Sequence, residues 1–113
     1  MATVEECEEA LAGLVSRLDE VDPDKWAQHA VDRTISCHIS DLGVSYASRL
    51  GKKGVAPFIP TGDPRSAQVR LTISASDLVD LAADRLSPTK AWMSGKLKIE
   101  ASVLDLLRLR KVL

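Results

Sequence analysis

The sequence predicts a two-layer α+β domain, and three observations carry that prediction. The chain opens on a capped, amphipathic helix pattern. Several later segments alternate apolar and polar residues, giving strands with one dry face. The elements run helices, strands, helix, strand, helix, which fits one sheet with helices on one side better than a repeating β-α-β unit.

Thr3 and Glu6 form a capping box, and Glu5, Glu6, Glu8 and Glu9 suit the positive end of a helix dipole. Val4, Cys7, Leu11, Leu14, Leu18 and Val21 then recur in steps of three and four, one stripe of a helix. Asp22-Pro23 closes it and opens a shorter helix through Trp26 to about Ala30.

Arg33 to Ser40 switches to period two, with Ile35, Cys37 and Ile39 facing in and Thr34, Ser36, His38 and Ser40 facing out. Asp41-Leu42-Gly43 is a turn, Val44 to Leu50 a second strand, and Gly51-Lys52-Lys53-Gly54 a hairpin-like turn. Val55 to Pro60 reads as a third strand that Pro57 and Pro60 push to a sheet edge or out of the sheet. After the loop Thr61 to Ser66, Gln68 to Ser74 alternates cleanly, with Val69, Leu71 and Ile73 on the dry face.

Ser74 and Asp77 cap a helix that carries Leu78, Leu81 and Ala82 on one side. Ser87 caps the next, with Pro88 at its first position and Gly95 as its natural terminator. This short helix presents Trp92 and Met93, which need cover from core, ligand or partner. It runs into Lys96 to Glu100, where Leu97 and Ile99 share a face. Ser102 caps a last helix, Val103 to about Lys111, that is apolar around most of its circumference.

The 113 residues make one domain, 1–113, large enough for a true core. A net charge of −1 argues against a dedicated nucleic-acid binder. Aromatics are only 4%, so the interior is mainly aliphatic. Cys7 and Cys37 sit on apolar positions and read as small buried hydrophobes; a chain of this size does not need a disulfide. No signal-like N-terminus and no apolar run near ~20 residues is present, and the C-terminus is not a peroxisomal address, so a soluble cytoplasmic protein is expected.

No phosphate loop, dinucleotide fingerprint or nucleophile elbow occurs. His29 and His38 have no ligand-type neighbour at helical spacing, so neither a metal site nor a cofactor is expected. Lys52 and Lys53 read as turn solubilisers. Arg108, Arg110 and Lys111 read as a solvated face, with transient contact to a membrane surface as the alternative.

From Leu71 to Leu113 the sequence resembles the C-terminal part of the sterol carrier protein type-two family. The resemblance lies in Ser74, Asp77, Leu78 and Leu81, then Ala91-Trp92-Met93-Ser94-Gly95, then Lys96-Leu97-Lys98-Ile99, then Leu104, Leu107 and Leu109. Thr34 to Gly43 also resembles the family's first strand and turn. The chain departs from the pattern at Glu100-Ala101-Ser102, which lacks a glycine, and in the proline-rich segment around Pro57 and Pro60. The missing targeting tail points to a bacterial or cytosolic stand-alone member.

The resemblance implies a five-stranded, mostly antiparallel sheet covered on one face by about four to five helices. It also implies an apolar tunnel between the layers for a sterol, fatty acid or fatty acyl-CoA. In that frame Leu78 and Leu81 form one wall, Trp92 and Met93 the mouth or floor, Leu97 and Ile99 the sheet side, and Leu104 and Leu107 a lid. The expected function is non-enzymatic lipid transfer. The alternative is a protein-interaction or homodimerisation module beside a lipid-metabolising enzyme. No catalytic constellation supports an enzyme.

Overall fold

The computed structural model describes residues 2–19, 32–51 and 54–112. The expected helix over 22–30, with Trp26 and His29, lies outside the described residues, as do Lys52 and Lys53.

Helix α1 is Val4–Asp19. Its capping box is formed: Glu6 N–H donates to Thr3 Oγ1 and Thr3 N–H to Glu6 Oε1, each at 3.2 Å. Cys7, Ala10 and Leu11 of its inner stripe are buried.

Strand β1, Arg33–Ile39, pairs antiparallel with β2, Val44–Gly51, and parallel with β5, Val69–Ile73. The β1–β2 turn is closed by Gly43, whose φ of 66° suits a residue without Cβ. On the far side of β2, the expected third strand is broken into β3, Gly54–Val55, and β4, Ile59–Pro60. Pairing Leu50 with Val55 but Tyr46 with Pro60 shifts the register by one residue between the two pieces. Ala56–Phe58 is therefore a bulge in a single edge strand, at the proline that cannot donate to the ladder. This break explains why the sheet counts six strands instead of five among the described residues.

Helix α2, Ala75–Ala82, follows β5 directly, with Ser74 accepting from Asp77 N–H at 3.2 Å. Asp41 reaches the same helix start, accepting from Ala75 N–H at 2.9 Å. At its other end Arg17 donates to the carbonyls of Leu81 and Ala82, at 3.2 and 3.4 Å, and pairs with Asp84 at 3.1 Å. One α1 side chain thus satisfies carbonyls that the end of α2 leaves without intrahelical partners.

Helix α3, Pro88–Ser94, ends at Gly95 in the left-handed region, φ 83°. Leu97 N–H then donates back to Ala91 carbonyl at 3.0 Å. That closure uses Lys96 and Leu97, so strand β6 is only Lys98–Glu100, antiparallel to β5. Helix α4, Val103–Val112, starts on Ser102, whose hydroxyl accepts from Asp105 N–H at 3.2 Å. It needs no glycine bend.

The core lies between the sheet and the helices. Cys7, Ala10 and Leu11 of α1 meet Leu78 and Leu81 of α2, Ala91 of α3, Leu97, and Cys37, Ile39, Tyr46 and Ile73 of the sheet. The opposite face is not simply open, as the alternation predicts. Ser36 is 1% exposed and donates to Pro64 carbonyl at 2.8 Å. The 3₁₀ turn Pro64–Ser66 lies over that face at Ser36.

Candidate functional site

The expected lining residues fall into two groups. Leu78, Leu81 and Leu97 are buried in the core cluster, and Ile99 packs against it half-buried. Trp92 is half-buried on α3. Met93, Leu104 and Leu107 lie at the surface, 85%, 66% and 50% exposed. The fold therefore brings the first four together and leaves the last three uncovered among the described residues.

Among the described residues, an opening lies beside this cluster. A groove of about 500 Å³ runs between α1 and the bulged edge strand, lined by Glu8, Leu11, Ala12, Val15, Ser16, Tyr46, Pro57, Phe58 and Pro60. That volume is in the usual range for a small-molecule site, as is the mostly apolar wall. Leu11 and Val15 lie four apart on one face of α1. On the sheet side the bulge matters: Val55 is level with Leu50 and Pro60 with Tyr46, so Val55 and Phe58, three residues apart, fall on one face, which strict alternation forbids. Phe58, the only phenylalanine of the chain, is turned toward α1 by that extra residue.

Sequence reasoning did not single out this groove. Its one sequence signal is an aromatic residue between Pro57 and Pro60, in a segment otherwise read as a damaged edge.

The polar fittings of the groove are few. Tyr46 is 3% exposed, and its hydroxyl donates to Glu8 Oε2 at 3.1 Å. Burial first, then that hydrogen bond and the charge of Glu8, push the Tyr46 phenol up to about 12. Behind it the thiols of Cys7 and Cys37 are free and buried. Burial, and then the nearby Cys7, pushes Cys37 up to about 12. Burial raises Cys7 too, reinforced by Asp41, Glu6 and Glu8. The surroundings are thus dry and negative, and hold two thiols in their neutral form.

Among the described residues, no three His, Cys, Asp or Glu side chains gather as a metal site, and no helix is long and apolar enough to cross a membrane. His38, half-buried on the polar side of β1, has Nδ1 2.7 Å from Ser45 Oγ.

A mostly antiparallel sheet with helices packed on it is the arrangement that the resemblance led us to expect, whereas the groove lies at the sheet's edge and is lined by none of the residues expected to wall a tunnel. A sequence profile of the SCP-2 sterol transfer family matches residues 11–113. The chain belongs to the SCP-2 sterol transfer family. A curated relative is the non-specific lipid-transfer protein-like 1 of Caenorhabditis elegans, 28% identical over 61 residues; the match spans 54% of this chain and about half, 52%, of that protein. Among solved structures, palmitated SCP2L2 from Aedes aegypti superposes with a TM-score of 0.62 at 20% identity, covering 99% of this chain and 94% of that one. The sec-alkylsulfatase Pisa1 from Pseudomonas sp. matches with a TM-score of 0.57 at 23% identity over 82% of this chain but only 14% of its own. That likeness is to one domain of a larger enzyme and is a likeness of fold. Membership and the curated relative together support lipid binding or transfer in general.

Proposed function

We propose that this SCP-2 domain binds and carries a single apolar lipid, a sterol, fatty acid or fatty acyl-CoA, without chemical turnover. The observation that carries the reading is the groove of about 500 Å³ between α1 and the edge strand, walled by Leu11, Val15, Phe58 and the two prolines. The palmitate of the Aedes aegypti relative supports a fatty chain as one ligand. The lipid enters through the groove and runs toward Leu78, Leu81, Leu97 and Ile99. Trp92 and Met93 form the mouth or floor at its far end. Leu104 and Leu107 act as the lid that parts when the ligand leaves. The setting we infer is cytoplasmic.

Affinity comes from removing the chain from water, about 0.8 kcal/mol per buried methylene. A dozen methylenes give roughly 10 kcal/mol before ordering costs, enough for micromolar binding. Titration of delipidated protein with a fluorescent fatty acid, competed with cholesterol and palmitoyl-CoA, tests the reading. Saturable one-to-one binding, weakened in Phe58→Ala, supports it. A folded protein that binds none of the three overturns it.

A second reading follows from α4, where Val103, Leu104 and Leu107 are exposed apolar residues. In that reading the helix docks on a second copy of the chain or on a lipid-metabolising enzyme. A lipid-free dimer in light scattering, lost in Leu104→Ser, is the result it requires.

A further inference from the structure

We propose that Glu8 selects the headgroup of the bound lipid, favouring a neutral head that donates a hydrogen bond, such as an alcohol, and disfavouring carboxylates and phosphates. This rests on the carrier reading above and narrows it. The groove has three polar side chains, Glu8, Ser16 and Tyr46, and no cation among its described lining residues. An apolar wall discriminates poorly between lipids of similar chain, so the head must be read by these groups.

Their arrangement is directional. Tyr46 is buried and its hydroxyl donates to Glu8 Oε2, so its proton is already committed. Among the described residues, the hydrogen bond from Tyr46 goes to Oε2, no donor to Oε1 is present, and Glu8 is an exposed residue of the groove wall. A ligand hydroxyl can donate to it there. A ligand carboxylate cannot donate, and it meets a like charge held in place by the tyrosine. Glu5, Glu6 and Glu9 on the same helix add to the negative field. Arg17, the nearest cation along α1, is turned away to Asp84 and the end of α2. Two like charges about 4 Å apart change an equilibrium about fivefold in bulk water and roughly a thousandfold at the effective dielectric of a protein surface; an exposed carboxylate such as Glu8 lies toward the water end of that range, at about tenfold.

The test compares oleyl alcohol with oleate, which share a chain and differ in the head. Delipidated protein is equilibrated with neutral phosphatidylcholine vesicles carrying either radiolabelled ligand, and protein-bound label is measured. Glu8→Gln keeps the acceptor for Tyr46 and removes the charge; Glu8→Lys reverses it. Circular dichroism confirms that both remain folded. Because each ligand has its own preference for the vesicle, the quantity read is the alcohol-to-oleate ratio relative to wild type. We expect it to fall about tenfold in Glu8→Gln and further in Glu8→Lys, chiefly through a gain in oleate. In wild type, raising the salt should increase oleate uptake and leave alcohol uptake unchanged. An unchanged ratio in both variants overturns the selector and leaves the carrier reading intact. Uptake of neither ligand by wild type overturns the carrier reading and the selector with it.

Discussion

Arg33, the first residue of β1, directs Nε at both carboxylate oxygens of Asp105 in the first turn of α4, at 3.2 and 3.0 Å. The Asp105 side chain is 8% exposed and that of Arg33 28%. The pair pins the start of the last helix to the sheet, three residues after the Ser102 cap. Leu104 and Leu107 on the same helix are exposed, so they add little to this tie.

Asp105→Asn should therefore lower stability by roughly 1–3 kcal/mol, less than a fully buried pair because Arg33 keeps some water. Urea unfolding measures it, and the melting temperature should fall by roughly 5 °C per kcal/mol. An unchanged urea midpoint would show that α4 is held by other means.

Gly95 offers a cleaner backbone test. It sits at φ 83°, and a Cβ there would meet nothing within 4 Å. Gly95→Ala should cost about 1 kcal/mol from left-handed strain alone, with lipid binding unaltered. A larger loss, or a loss of binding, would mean that the α3-to-β6 closure also shapes the ligand path.

What could be read from the sequence was local. The Thr3–Glu6 box, the Ser74 and Ser87 caps, Pro88 and Gly95 each act within a turn of themselves, so the helix starts and stops fell where residue chemistry put them. The alternation of β1 and β5 likewise placed Cys37, Ile39 and Ile73 in the core. The misses are non-local. The bulge at Ala56–Phe58 depends on which β2 residues the edge strand pairs with, and alternation within the edge strand cannot supply that. Ser36 is buried by a carbonyl 28 residues away. The groove needs α1, Tyr46 and the bulge at once, so its walls could not be assembled from any single motif.

The buried thiol and phenol make a pH prediction. Cys37 is raised from its ordinary 9.0 to about 12, and Tyr46 from 10.0 to about 12. Both groups are neutral when protonated, so the folded state holds protons that the unfolded state releases. Stability should therefore be flat through neutral pH and fall from about pH 9 upward, continuing toward pH 12. Urea midpoints between pH 7 and 11 should trace this fall, and Cys37→Ala should make it shallower. A stability that rose with pH in that window would refute the sign.

The last prediction separates the core from the groove. Leu78 is 1% exposed at the centre of the cluster, while Phe58 is half-buried at the groove wall. Leu78→Ala should cost about 2–5 kcal/mol, since a tightly packed interior closes only partly around the void. Phe58→Ala should cost less in stability, because part of its ring already faces the opening, and more in lipid affinity, because a carried chain would lie against it. Urea unfolding and lipid titration of both variants give four numbers. If Phe58→Ala loses stability as heavily as Leu78→Ala while lipid affinity is untouched, the groove is a surface furrow and the ligand lies deeper, among Leu78, Leu81, Leu97 and Ile99.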